Sequence, residues 1–236
     1  MADGGGARAT AARETTAQTP RGQMQKRQAI LDAALSVFVR EGYGLAGIDA
    51  IAAEAGVAKP TIYNHLGGKE NLFRIVMIEA AEQSRTKILQ ALDAFPTDAT
   101  DLPGQLAAIA HRVLECQAGE RGWALQRLIY AEAPRFPDLC DTIRASSTDH
   151  VTNALAARLA WLSNAGHLEI ADPVTAAQQF MALISGDLPA LSALGTRPIA
   201  DSELDRAVTT GVETFLRAFT PRADAAAHSS AAEPSS

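Results

Sequence analysis

Apolar residues recur at helical spacing over most of this 236-residue chain, and that periodicity restricts the fold more than any other feature. In the first segment, from about Met24 to Glu41, they recur every three or four positions, and Gly42 follows where a left-handed C-terminal cap is expected. No segment alternates apolar with polar residues as a half-buried strand does. Glycine and proline residues divide the rest into further helical segments. The sequence therefore predicts an all-α fold of about nine helices.

The segment Ile48–His65 predicts two short helices joined by a tight turn at Gly56. Helices of this length are marginal alone in water, so they must pack against a partner. Ile62 and Leu66, four residues apart, fix one face of the second helix inward and leave its polar residues outside. A helix-turn-helix has this pattern, and it lays its second helix in the major groove of DNA. An ordinary corner between two helices is the alternative that the pattern alone leaves open.

Charge is unevenly distributed along the chain, whose formal net charge is −6. Residues 1–90 carry 11 Lys and Arg against 9 Asp and Glu, a balance of +2, whereas residues 91–236 carry 10 against 18, a balance of −8. This asymmetry is expected if only the N-terminal part meets a polyanion, although random variation of surface charge also produces it. Basic residues near the N-terminus form either an arm that touches DNA or a solvated tail. They are Arg8, Arg13, Arg21, Lys26 and Arg27.

Several classes of protein are excluded by what the sequence lacks. No apolar run approaches the roughly 18 residues of a membrane helix, so we expect a cytoplasmic protein with no membrane partner. Cys116 and Cys140 are too few for a disulfide framework, and no Cys or His pair has zinc-ligand spacing, so we expect no metal and no cofactor. No catalytic motif is present, so an enzyme is not expected. Sensing of oxidation through the two cysteines remains an alternative function.

The run from Arg27 to Met77 resembles the N-terminal domain of the TetR family of bacterial transcriptional regulators. The resemblance covers some 50 residues in order. Its motifs are Phe38 and Gly42 ending the first helix, Ile51-Ala52 with Ala55-Gly56-Val57, Lys59-Pro60-Thr61-Ile62-Tyr63, and Lys69-Glu70-x-Leu72. The resemblance implies a homodimer in which each subunit presents one recognition helix to one half of a palindromic operator.

Matching positions assign the DNA contacts to the recognition helix and its neighbours. Tyr63 and Lys69 are expected at phosphates, with Lys69 supported by the positive N-terminal end of the long helix that it begins. Thr61, Asn64 and Lys59 are expected at base edges. The full set of expected DNA-binding residues is Gly47, Lys59, Pro60, Thr61, Tyr63, Asn64, His65 and Lys69.

Three positions depart from the family pattern. Ala58 stands where Ser or Thr commonly caps the recognition helix, and Gly68 replaces the usual serine before the long helix. Gly47 stands where the family usually has Thr, so one common phosphate contact is missing unless the Gly47 backbone N–H substitutes for it.

Residues from about 95 onward resemble the C-terminal domains of the same family, and the stretch Tyr130–Pro137 resembles its AefR-like subgroup. This implies a small-molecule effector site among the helices covering 102–165. The expected contacts are His111, Glu115, Cys116, Trp123, Gln126, Arg127, Tyr130, Phe136 and Trp161. Apolar stripes on the last two helices suit either a four-helix dimer interface or an intramolecular core. They comprise Phe180, Met181, Ile184, Leu188, Leu204, Val208, Val212, Phe215 and Phe219.

The sequence thus predicts a regulator with two folded domains between low-complexity tails. The divisions are a disordered tail over 1–22, a DNA-binding domain over 23–84 with its helix-turn-helix at about 47–66, an effector-binding and dimerisation domain over 85–219, and a disordered tail over 220–236. The expected partners are a double-stranded operator, a second copy of the chain and a small-molecule effector. We expect repression released by the effector, and activation stays open.

Overall fold

The structure, a computed structural model, describes residues 20–93, 95 and 100–221, and all the secondary structure of these residues is helical. The predicted all-α class is therefore confirmed. The predicted tails lie outside the described residues except at their inner ends, since α1 begins at Pro20. The helices are α1 (Pro20–Leu45), α2 (Ile48–Ala55), α3 (Lys59–Leu66), α4 (Lys69–Leu92), α5 (Leu102–Ala118), α6 (Glu120–Glu132), α7 (Pro137–Ile143), α8 (Asp149–Asn164), α9 (Pro173–Ser185), α10 (Leu188–Leu191) and α11 (Asp201–Phe219).

The first hydrophobic core lies among α1 to α4. Its largest fully buried side chains include Phe38, Ile51, Ile62 and Phe73. Gly42 interrupts α1 near its end with φ 73° and ψ 164°, a backbone that favours glycine but differs from the left-handed cap expected there. These contacts hold two helices of eight residues each that would not be stable alone.

Two helices from the C-terminal half complete this first core. Leu125 and Leu128 of α6, Phe136 ahead of α7, and Leu139 and Ile143 of α7 are buried in it. The long helix α4 belongs to both halves, because its earlier turns pack in the first core and its last turns, from Ile88, pack in the second. The halves are therefore joined by shared packing as well as by one helix.

The second core lies between the end of α4 and helices α5, α8, α9 and α11. Phe180 of α9 and Phe215 of α11 meet edge to face, with ring centroids 5.1 Å apart. Helices α9 and α11 approach closely at Gly211, where a Cβ atom would lie 2.6 Å from the Leu183 carbonyl oxygen. A larger residue at this position would force the two helices apart.

This packing places most of the apolar stripes of the last helices inside the subunit, which is the second of the two arrangements that the sequence left open. Six of the nine residues are at most 3% exposed within a single subunit, and the other three pack partly buried against the same core. The six are Phe180, Ile184, Leu188, Val208, Val212 and Phe215, and the other three are Met181, Leu204 and Phe219. The six most buried residues of the stripes therefore face the interior of the subunit.

Two helical segments of the C-terminal half are irregular. Helix α9 ends at Ser185, because Gly186 leaves the helical conformation with φ 49° and ψ −131°. A π-helical turn, Arg144–Thr148, joins α7 to α8. Among the described helices, none combines the length and apolar character needed to span a bilayer.

Candidate nucleic-acid interface

The helix-turn-helix is formed by α2, the turn at Gly56 and α3. Gly56 has a φ of 64°, and the amide of Val57 donates to the Ala52 carbonyl to close the turn. Ile62 and Leu66 of α3 are 0% and 2% exposed, and they fix that helix against the first core. The inward face predicted from their spacing is present in the structure.

The polar residues predicted to contact DNA lie on the outer face of α3. Lys59, Pro60, Tyr63, Asn64 and His65 are exposed. Thr61 is half-buried, with its amide bonded to the Ala58 carbonyl at 2.8 Å. The exposed residues share one surface that also presents the start of α3, where unpaired amides and the helix dipole favour anions.

The three departures from the family pattern differ in their backbone conformation. Ala58 precedes α3 with extended φ and ψ of −76° and 141°, and Gly47 precedes α2 with −104° and 142°, so any residue fits at either position. Gly68 precedes α4 with a φ of 102° and is buried. The backbone at this position therefore favours glycine, and a serine cap would be strained here.

Lys59 is paired within the subunit. Its ammonium lies 2.9 Å from the Asp49 carboxylate of α2, and this hydrogen bond raises the pKa of Lys59. Both side chains are exposed, so the pair is open to competition from a phosphate or a base edge.

Lys69 is also engaged within the subunit. Its ammonium donates to the Gly44 carbonyl at 3.0 Å and lies 4.7 Å from the centre of the Tyr43 ring. These contacts hold the start of α4 against the end of α1. The side chain expected at a phosphate thus also fixes the relative position of two helices.

An aromatic cluster lies behind this surface and includes a residue of the C-terminal half. The Phe136 ring packs on Tyr43 and Phe73 at centroid distances of 5.0 and 5.2 Å. The Arg135 guanidinium lies 4.5 Å from the centre of the Tyr43 ring. Part of the stretch that resembles the AefR-like subgroup therefore packs against the helix-turn-helix half (α1 to α4), which we call the DNA-facing half.

An ion pair joins the same two halves on the outside of this cluster. Arg74 of α4 lies 2.6 Å from Asp138 of α7, and the hydrogen bond lowers the pKa of the Asp138 carboxyl. The two side chains are 28% and 68% exposed.

Sequence reasoning missed several residues that position this surface. Tyr43, Asp49 and Asp138 act through partners that are distant in sequence, for which one sequence gives no signal. Asn71 donates from its side chain to the Leu66 carbonyl at 3.0 Å and so caps the end of α3. Asp49 could have been noted as an acid in the first turn of a helix, but its pairing with Lys59 could not.

The residues predicted to bind an effector are dispersed in the structure. A pocket beneath α4 in the C-terminal half has a volume of about 440 Å³ and contains Gln126 but none of the other eight predicted contacts. A second depression of about 480 Å³ beside α6 includes Glu115 and Trp123. Phe136 lies in the first core, and Tyr130 and Trp161 are 67% and 44% exposed.

The remaining predicted contacts have local roles. Arg127 donates to the Leu194 carbonyl at 2.6 Å, and His111 lies 3.4 Å from an Asp205 carboxylate oxygen. Cys116 borders a small cavity of about 40 Å³. These residues were chosen by type within one region of the sequence. Residue type does not locate the pocket, because its walls come from helices that are distant in sequence.

Both cysteines are free and half-buried. Burial raises the pKa of the Cys116 thiol and of the Cys140 thiol, which lowers the fraction of reactive thiolate. The structure gives no support to the alternative of redox sensing through these residues.

Comparison with known proteins follows the same division of the chain. A family model described as bacterial regulatory proteins of the TetR family matches residues 30–76, and one described as the AefR-like transcriptional repressor C-terminal domain matches residues 104–221. A solved TetR-family regulator from Mesorhizobium loti is 28% identical, with a TM-score of 0.76 and coverage of 84% of this chain and 98% of that one.

Two further relatives have names that describe a regulatory role. The flavonoid-responsive regulator FrrA is 30% identical, with a TM-score of 0.67 and coverage of 85% of this chain and all of that chain. The transcriptional activator FasR of Mycolicibacterium smegmatis is 40% identical over 68 residues, which are 29% of this chain and 31% of FasR. The match thus spans only about a third of FasR.

The all-helical fold, with a helix-turn-helix ahead of a second helical core, defines the class of helix-turn-helix transcriptional regulators. The chain belongs to the TetR family of that class and has an AefR-like C-terminal domain. The family and these relatives are regulators and not enzymes, which confirms that expectation.

Proposed function

We propose that this protein binds a palindromic DNA operator as a homodimer and represses transcription until a small molecule releases it. The observation that carries the proposal is the exposed polar face of α3, which Ile62 and Leu66 hold outward by anchoring the opposite face. The helix carries one amine (Lys59), one amide (Asn64) and two hydroxyl groups (Thr61 and Tyr63). These groups suit base edges and phosphates in a major groove.

Tyr63 and Lys69 take the phosphate contacts in this proposal, and Thr61 and Asn64 contact base edges. The support for Tyr63 is that its ring lies against Gly68, where a Cβ atom would be 3.6 Å from Cε1, with half of the side chain exposed. The ring is thereby held at the junction of α3 and α4, and its hydroxyl extends toward the duplex.

The roles of individual side chains are tested by selecting bound fragments from a random DNA pool. We expect Tyr63→Phe to weaken binding to all selected sequences alike, because a phosphate contact carries no sequence information. Thr61→Ala should change the sequence preference. The opposite pattern would show that the two side chains have been assigned to the wrong partners.

A homodimer needs a surface other than the buried stripes of α9 and α11. We propose the outer faces of these helices, where Val174, Thr210 and Thr214 are exposed. Thr210→Arg should shift the mass measured by light scattering from dimer to monomer. Asn153→Arg, at an exposed position on α8, is the matched control and should remain a dimer. A dimer that survives Thr210→Arg would contradict this surface.

The effector site in this proposal is the pocket of about 440 Å³, whose volume falls in the usual range for small-molecule sites. Ala81, Ser84, Arg85 and Ile88 of α4 line it, and the same helix begins at Lys69 beside the recognition helix. A ligand that favours one position of α4 would change the separation of the two recognition helices, and the coupling equals its differential affinity for the two states. The name of FrrA supports a small organic effector.

Release is tested by adding small molecules to a complex of protein and labelled operator. An effector should lower the operator affinity, and operator should lower the effector affinity by the same factor. A ligand that occupies the pocket and leaves operator affinity unchanged would contradict release by this route.

A further inference from the structure

The pocket beneath α4 has a hydroxyl group that nothing in the described protein satisfies. Ser147 is only 9% exposed and lines the pocket, and its Oγ has no hydrogen-bond partner among the described residues. A buried polar atom without a partner is costly, so it calls for a specific explanation. A bound ligand that accepts a hydrogen bond from this hydroxyl supplies one.

The backbone around Ser147 is also unusual. Ser147 lies in the π-helical turn Arg144–Thr148, and π turns are rare and concentrate at functional sites. The next residue, Thr148, lines the same pocket, as do Val151 and Thr152 of α8. The turn thus places consecutive hydroxyl-bearing residues at one wall.

The charge of the lining restricts the ligand. Arg85 is the one charged side chain among the described residues that line the pocket, and its Nη1 donates to the Ser146 carbonyl at 2.6 Å. The remaining polar lining is neutral, from hydroxyl groups and from the amides of Gln117, Gln126 and Gln178. A cationic ligand would find no counterion here, whereas the Arg85 guanidinium keeps N–H donors beyond its bond to the neutral Ser146 carbonyl and favours an acceptor oxygen nearby.

We infer that this pocket binds a molecule with an apolar body, no positive charge and one carbonyl-type acceptor, which accepts a hydrogen bond from the Ser147 hydroxyl. The apolar body packs between Ile88 of α4, Leu125 and Ile129 of α6, and Met181 of α9. The inference rests on the proposed function, since it specifies the chemistry of the proposed effector site.

The test uses prodan, a neutral fluorescent naphthalene ketone, with the full-length protein in the absence of DNA. Prodan should bind the wild-type protein, and Ser147→Ala should weaken it about fivefold, which corresponds to a neutral hydrogen bond of about 1 kcal/mol. Ser146→Ala is the matched control, because Ser146 is in the same turn and is not part of the lining. It should change prodan affinity by less than about twofold.

Two competitors separate the acceptor from the apolar body. Isopropylnaphthalene lacks the acceptor, so its affinity, measured by displacement of prodan, should be the same in the wild type and in Ser147→Ala. Naphthylmethylammonium carries a positive charge and should bind more weakly than isopropylnaphthalene, because the lining offers no counterion. The inference is overturned if prodan does not bind, if it binds Ser147→Ala as tightly as the wild type, or if naphthylmethylammonium binds more tightly than isopropylnaphthalene.

Measurement without DNA separates this inference from the proposed release mechanism. If prodan binding depends on Ser147 but prodan does not lower operator affinity, the assignment of ligand chemistry stands and release by this ligand fails. If other compounds release the operator while prodan does not bind, the release mechanism stands and the assigned chemistry is wrong.

Discussion

The DNA-facing half and the ligand-facing half of this protein differ in how directly sequence determines their surfaces. The outer face of α3 follows from the spacing of Ile62 and Leu66 within one short helix. The pocket beneath α4 is made by residues from α4, α5, α6, α7, α8 and α9, together with a π turn. A surface formed by one element can be derived from periodicity, whereas a surface formed by many requires their packing.

The halves are nevertheless not independent, because Phe136 completes the aromatic cluster of the DNA-facing half. We expect Phe136→Ala to lower the free energy of unfolding by about 3–5 kcal/mol, since it leaves a cavity between Tyr43 and Phe73. Urea denaturation measures this change. Tyr130→Ala, at a largely exposed position of α6, is the control and should cost far less. A loss below about 1 kcal/mol for Phe136→Ala would mean that the first core does not depend on the C-terminal half.

The two glycines that precede α2 and α4 give the next largest effect. Gly68→Ser should destabilise the protein by about 1–3 kcal/mol, because a side chain is strained at a φ of 102°. Gly47→Ser should be neutral or stabilising by a few tenths of a kcal/mol, because its φ of −104° suits any residue and serine is a better cap. Equal effects in thermal unfolding would contradict the assigned backbone conformations.

The missing cap of the recognition helix gives a smaller and favourable effect. Ala58→Ser should stabilise the protein by about 1 kcal/mol, since the extended backbone at residue 58 allows a serine hydroxyl to accept from the first turn of α3. The denaturant midpoint should rise. Ala53→Ser, at an exposed position inside α2, offers no such cap and should not raise it.

The Arg74–Asp138 pair gives the smallest effect, because Asp138 is largely exposed. The pKa of Asp138 is lowered in the folded state, so the pair stabilises the fold above the ordinary carboxyl pKa, and this contribution is lost as pH falls through the lowered value. The stability difference between the wild type and Asp138→Asn should therefore shrink as acid is added. A difference that is constant through that range would show that the pair does not titrate as described.

The sequence was sufficient to predict the all-α class, the turn at Gly56, and the inward anchors of α3. It left two arrangements open for the stripes of the last two helices, because an apolar stripe packs equally well inside a subunit or between subunits. The structure places Phe180 and Phe215 inside. The effector residues were chosen by residue type within the helices that the resemblance indicated, and of these nine only Gln126 lies in the pocket beneath α4.

The central claim is that the outer faces of two α3 helices meet one duplex together. Footprinting on a selected operator, with heparin as competitor, tests it most directly. We predict two protected segments related by a two-fold axis and centred about one helical turn apart, with two chains bound per duplex. A single protected segment, or binding that heparin abolishes on all sequences alike, would contradict the claim.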